Sequence, residues 1–332
     1  MSLLKTDLRV FRAAVNNDTA ANGGAMTNSE SVSGVSGNLF PRVSLSERTN
    51  GVTRFRKAFH KVASTGNFTL YDSHLFMFKH TPAADAVTFF ESDFTETQGD
   101  VTPASKTHYG VGVLQNSVIA SGESLTVEPE QLEYDVFRIG DRIYISDKPT
   151  YENAVSGTEE YNVIADISAG PGDSLVLDLE SPLVNGYEPG TRVASVMDKG
   201  DLFGVAESVS DTVAQDGALD AGGITVGQRG SIFHEVTFTF TSATNFNVSS
   251  NVLGSMGTGA RTSTFAPVNP STASPYLSVP TSAWSGTFQS GDVVTIRTIP
   301  AVLPVMYMQQ VPAGSLAFSG NSFTMVFAGE TE

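Results

Sequence analysis

From Arg54 onward, apolar residues recur mostly at every second position in short runs, and no helical period is sustained. A period of two sends successive side chains to opposite faces of a strand, so such a chain makes a core only by stacking sheets or closing them. The runs FTLY, HLFMF, AVTFF and HYGVGVLQ are rich in β-branched and aromatic residues, and the turn formers TG, TPAAD and QGD separate them. The expected fold class is therefore all-β, with β-sandwich and barrel domains. At 332 residues the chain has room for more than one core.

Between Glu133 and Met197, the segments RIGDRIYISD, EYNVIADIS, DSLVLDLES and TRVASVM alternate and are joined by turns at Gly157, Gly170-Pro171-Gly172 and Asn185-Gly186. Their spacing predicts a small β-barrel over 133–197, inserted into a β body made of 54–132 and 198–230. Further short strands over 231–332, from IFHEVTFTFT to NSFTMVFAG, predict an immunoglobulin-like sandwich that lacks the cysteine pair of true members. Pro129 to Leu132 is the best late candidate for a helical turn. The first 53 residues read differently. Leu4, Leu8, Phe11 and Val15 share a helical stripe, which predicts a short helix within 2–15, and the Asn-, Gly- and Ser-rich stretch from Asn16 to Val43 has no period. Residues 1–53 are thus expected to form an extended arm ordered by partners.

Charge separates the same regions. Through Val62 the chain holds nine Lys and Arg against four Asp and Glu, a net of +5, whereas the other 270 residues carry −21. The whole, at −16, lacks the basic surface of a general nucleic-acid binder. A basic arm beside an acidic body suits an arm laid on a neighbouring copy. The candidate subunit-interface residues are Arg54, Arg56 and Lys57 as cations, with Phe40 and Phe55 as apolar anchors.

Chemistry is sparse. Zero cysteines exclude disulfides, thiol catalysis and cysteine metal sites. His60, His74, His80, His108 and His234 form no HExxH pair, and no G-x-S-x-G elbow, phosphate loop or EF-hand spacing occurs. No catalytic, cofactor or metal residue is expected, and the chain is read as no enzyme. No apolar run spans a bilayer, and the N-terminus lacks the apolar core of a secretory signal. A carbohydrate or host-surface site, if present, is expected around Tyr276 and Trp284, the sole tryptophan.

The runs GAMTNSESVSGVSGNLFPRVSLSERTNGVTRFRKAFHK (Gly24 to Lys61) and VPAGSLAFSGNSFTMVFAGE, with the central IGDRIYISD, resemble structural proteins of contractile-tailed, Mu-like bacteriophages. The likeness extends over most of the chain and carries no catalytic residues. It implies a multi-copy virion component, made in the host cytoplasm, that forms a gateway or collar ring at the head–tail neck. A baseplate part, a capsid decoration and a host-surface binding module are the alternatives. Its implied partners are copies of itself, other virion proteins and packaged DNA lying nearby without adhesion, with no membrane.

Overall fold

The computed structural model describes residues 3–130 and 133–331. The fold is all-β, with 47% of residues in strands and 6% in helical turns. Its centre is a five-stranded antiparallel sheet in the order Gly23–Glu30, Leu8–Val15, Val52–Val62, Val302–Val311, Ala86–Glu91. Val302–Val311 reads VLPVMYMQQV and is buried at every position, the mark of a strand covered on both faces. On one face Ala58, Phe89, Val305 and Tyr307 pack against Leu75, Phe76 and Val196 of a second sheet. On the other lie Phe55, Phe90, Met306 and Met308, with Ala13, Phe59 and Val302 beside them.

The expected N-terminal helix is a strand. After a short turn at Lys5–Asp7, Leu8–Val15 pairs with Val52–Val62, from Leu8↔Val62 to Arg12↔Ala58. Val10, Phe11 and Val15 suit a pleated surface, and the ladder offered by Val52–Val62 outweighs a weak helical stripe. The stretch from Asn16 to Val43 also holds regular structure, because Gly23–Glu30 pairs with Leu8–Val15 through two irregular registers. Gly23 permits this, since its φ is 109° and a Cβ there would lie 2.9 Å from the Glu96 carbonyl oxygen. Among the described residues one α-helix occurs, Leu45–Asn50, and it opens with a capping box in which Ser44 and Glu47 exchange hydrogen bonds. Pro129 ends a strand, Glu130 donates its N–H to the Val111 carbonyl, and the other two residues of the late helical candidate, Gln131 and Leu132, lie outside the described residues.

A barrel follows. Arg192–Leu202, Val111–Leu114, Ser124–Pro129, Leu175–Leu179, Glu159–Ala169 and Arg142–Ser146 pair in that order, and Arg142–Ser146 pairs back to Arg192–Leu202. Closure leaves no free edge, and Leu114, Leu125, Ile143, Ile164, Leu177 and Val193 fill the interior. The ring begins at Val111 rather than at the expected 133, because two earlier strands complete it. Barrel and body share Arg192–Leu202, whose later half pairs with Leu70–Lys79, which in turn pairs with Thr324–Glu330.

The chain leaves the body after Leu202 and re-enters it at Val302. In between, Val205–Thr212, Val293–Ile299, His234–Phe240, Asn245–Ser250 and Gly254–Ala260 form a five-stranded sheet, in that order. Two short ladders, Ala218–Leu219 with Trp284–Ser285 and Val268–Asn269 with Ser274–Pro275, accompany it. Its core is aromatic, built on Phe238, Phe240, Phe246, Phe265, Trp284 and Phe288. Two strands counted toward a terminal sandwich, Val302–Val311 and Thr324–Glu330, lie instead in the body sheets, and Val205–Thr212, expected in the body, lies in this one. Alternation reveals a strand but not its partner. All the buried residues of this core fall between Ala206 and Ile296. A fragment of residues 203–300 is therefore expected to unfold cooperatively in urea with dispersed amide resonances, whereas a fragment of 231–332 is not; the reverse outcome would refute the strand assignment.

Candidate functional site

The cations expected on an arm surface lie inside the chain. Arg54 is buried, donates Nη1 to the Pro41 carbonyl at 2.9 Å and pairs with Glu47. The Glu47 carboxyl is held at about 2, chiefly by its hydrogen bond from Arg54. Arg56, also buried, meets Asp18 at 2.7 Å and lies over the Phe40 ring. Phe40 packs on the body core near Phe323, and Phe55 is a core residue. Arg54, Phe55, Arg56 and Lys57 are thus engaged within one chain, because Val52–Val62 is an inner strand with both faces covered. Trp284 and Tyr276 likewise form no exposed patch. Trp284 is 7% accessible and meets Phe238, Phe240, Phe246 and Phe288 within the core, against which the half-buried Tyr276 packs.

Two buried lysines act as fasteners. Lys57 Nζ donates to the carbonyls of Asp93 at 2.5 Å and Glu96 at 2.9 Å, fixing the loop over the sheet. Lys61 Nζ donates to the carbonyls of Ser231 at 2.9 Å and Arg229 at 3.3 Å, fixing the C-terminal unit to the body. Burial lowers both ammonium groups to about 8. On the opposite face of the same strand, His60 Nε2 lies 2.6 Å from the Tyr307 hydroxyl. Burial lowers His60 to about 4 and raises Tyr307, so the hydrogen bond joins a neutral imidazole and a neutral hydroxyl.

One cluster has the composition of a metal site. Donor atoms of Asp72, His74 and Asp198 lie within 4.8 Å of one another. A cation from the protein already sits among them: Arg142 Nη1 is 3.2 Å from each Asp72 carboxylate oxygen and 3.1 Å from Asp198. Asp72 reaches this position from the left-handed region, at φ 43°, beside irregular registers on both neighbouring strands. His74 Nδ1 donates to the Asp72 carbonyl at 2.7 Å, and its Nε2 accepts from the Tyr161 hydroxyl at 3.0 Å. Burial lowers His74 and the Arg142 charge adds to the effect, while the bond to the Asp72 carbonyl and the Asp72 and Asp198 carboxylates oppose it. The guanidinium takes the place a metal would need, and the group joins barrel to body. Nothing in the sequence forecast this, as its members come from LYDSHLF, GDRIYIS and VMDKGD.

Two cavities are small. One of about 160 Å³ lies between Ser64–Asn67 and Thr225–Gly230, and an apolar one of about 30 Å³ lies between Met26, Phe94 and Phe233. No protein-family model, no curated protein and no solved structure matches the chain.

Two outcomes are expected. Glu47→Gln leaves a buried guanidinium without its carboxylate and costs roughly 3 kcal/mol in urea unfolding; a loss under about 1 kcal/mol would show that Arg54 finds water instead. For Lys61, the folded form binds its proton more weakly than the unfolded chain, whose lysine titrates near 10.5, so stability rises with pH from about 8 upward. The unfolding free energy of wild type relative to Lys61→Met should rise by on the order of 2 kcal/mol between about pH 7 and pH 10. A pH-independent difference would mean that Lys61 titrates normally.

Proposed function

We propose that the chain is a non-enzymatic structural component of a tailed-phage virion, present in several copies at the head–tail neck as a gateway or collar ring. The observation that carries this reading is the use of its buried ionisable groups. Arg54, Arg56, Lys57, Lys61 and the Asp72–His74–Arg142–Asp198 cluster each tie one segment of the chain to another. Such groups serve as struts, which suits a part that must hold its shape under load.

The acidic surface fits the same role. Between Val111 and Leu202 the chain carries seventeen Asp and Glu against five Lys and Arg, so most of the net charge of −16 belongs to the barrel. A barrel surface of that sign stands off packaged DNA by like-charge repulsion and keeps unassembled copies soluble.

The test is to tag the chain within its phage genome and purify particles by density gradient. The tag should co-purify with infectious particles in constant proportion, and gold-labelled antibody should mark the head–tail junction. Label at the baseplate or over the capsid would move the protein within the virion and remove the neck assignment. Tag recovered only in the particle-free fraction would end the structural reading.

A further inference from the structure

Among the described residues, Arg42, Arg48, Lys79 and Arg229 are the Lys and Arg side chains whose charged groups meet no acid, carbonyl, amide or ring. Three of them stand on segments that adjoin the loop 312–323: Arg42 just before the helix Leu45–Asn50, Arg48 within that helix and Lys79 at the end of the strand Leu70–Lys79. The Arg48 carbonyl accepts from the backbone N–H of Gly314 at 2.7 Å and of Ser315 at 3.1 Å, and Lys79 stands opposite Thr324 at the far end of the same loop. Asn321 pins that loop from within, donating to the buried Asp85 at 2.8 Å. Held in this way, the loop and the adjoining helix present Leu316 at 87%, Leu45 at 70% and Phe318 at 55% accessibility. An anchored loop and helix that leave three large apolar side chains in water, with unpaired cations on the same and adjoining segments, have the make-up of an interface centre and rim.

The complementary surface lies at the tip of the barrel. The loop Gln115–Glu123 and the loop Glu180–Gly190 are joined by exchange between Val118 and Tyr187 and between Ser121, Gly122 and Leu183. They present Ile119 at 80% and Val184 at 78% accessibility. Acids surround this pair. Glu160 accepts from the N–H groups of Val184 and Asn185, Glu188 accepts from Ser117, and the exposed Glu123 and Glu180 adjoin through the bond from Leu179 N to Glu123 O. None of these four carboxylates pairs with a cation among the described residues.

We propose that the barrel tip of one copy docks on the Leu45–Leu316–Phe318 surface of the next. Ile119 and Val184 meet the loop apolar residues, and Glu123, Glu160, Glu180 and Glu188 face Arg42, Arg48 and Lys79. The occupant is a second copy because apolar centre meets apolar centre while the rims carry opposite charge. The two surfaces differ, so the contact is head-to-tail and propagates into a ring or filament. It rests on the multi-copy reading given above and names the surface that reading requires.

The full-length chain is examined by sedimentation velocity. Wild type is expected to form species larger than one chain, which dissociate as salt rises. A loop variant, Leu316→Asp with Phe318→Asp, and a tip variant, Ile119→Asp with Val184→Asp, should each sediment as a folded monomer, checked by circular dichroism. Mixed in equal amounts, they retain one intact surface each and should give a complex of two chains and no more. Arg42→Glu with Arg48→Glu tests the rim without touching the apolar centre and should also lower association. A monomeric wild type at low salt, either apolar variant assembling as wild type does, or two variants that ignore each other would overturn the proposal. The particle-labelling experiment reads location independently, so a chain found in virions yet monomeric alone would remove this interface and leave the virion role standing.

Discussion

The ladder between Val52–Val62 and Val302–Val311 is the constraint on which the rest depends. It runs unbroken from Val302↔Lys61 to Val311↔Val52 and brings His60 to Tyr307 across 247 residues of sequence. Both strands are internal, so their backbone groups have no water to turn to, and the ladder must form in full or not at all. Everything between the two strands is a closed excursion. The barrel and the aromatic C-terminal unit leave from and return to this frame, and Ala86–Glu91 and Leu8–Val15 flank the two central strands on either side. Closing so long a loop costs entropy that grows slowly with length, which is why an insertion of this size is tolerated. The cost appears in rate rather than stability, because non-local pairing slows folding.

Placing lysine, arginine and histidine on a fully buried strand demands partners, and the fold supplies them from distant segments. Val52–Val62 presents Arg54, Arg56 and His60 to one side and Lys57 and Lys61 to the other. A long side chain can bury its methylenes against Phe11 or Phe59 while its charged end reaches a carbonyl at the sheet margin. The carbonyls reached by Lys57 and Lys61 belong to segments that are not themselves in the sheet. Charge on the inner strand thereby fixes the order of the outer layers. An apolar strand would pack as tightly but would specify that arrangement less sharply.

Period and turn chemistry made the all-β class legible, together with most individual strands, because these signals are local. What stayed hidden was pairing. IFHEVTFTFT and VMYMQQV look alike as strands, yet one lies in the C-terminal sheet and the other in the centre of the body, and only the continuous burial of Val302–Val311 separates them. The stripe of Leu4, Leu8, Phe11 and Val15 was misleading because a two-residue period with one irregular step can imitate a helical one over so few turns. Charge misled similarly. The excess of cations through Val62 is real, but Glu47, Asp18 and Glu30 in the same segment take up Arg54, Arg56 and Arg9, so little of it faces outward. A lone tryptophan stands out in a sequence as a candidate for a surface site; in the fold Trp284 is the largest side chain of an aromatic core.

Once the buried cations are accounted for, the remaining charge has a direction. The barrel concentrates acids, and like charges even stand directly opposite, as Asp178 does with Asp166. Cross-strand repulsion of this kind destabilises a ladder slightly and gives the single chain nothing in return. In the proposed assembly its effect is on encounters between copies. By the sign of their net charge two barrels would repel each other, so the proposed assembly disfavours barrel-to-barrel association at long range, whereas a barrel approaching the Arg42, Arg48 and Lys79 rim would be attracted. In the proposed docking, repulsion against wrong contacts and attraction toward one contact would together select a head-to-tail arrangement. Because both terms are screened over roughly 10 Å at moderate salt, the selection acts in the final approach, where the exposed aliphatic side chains begin to lose water and orientation still matters.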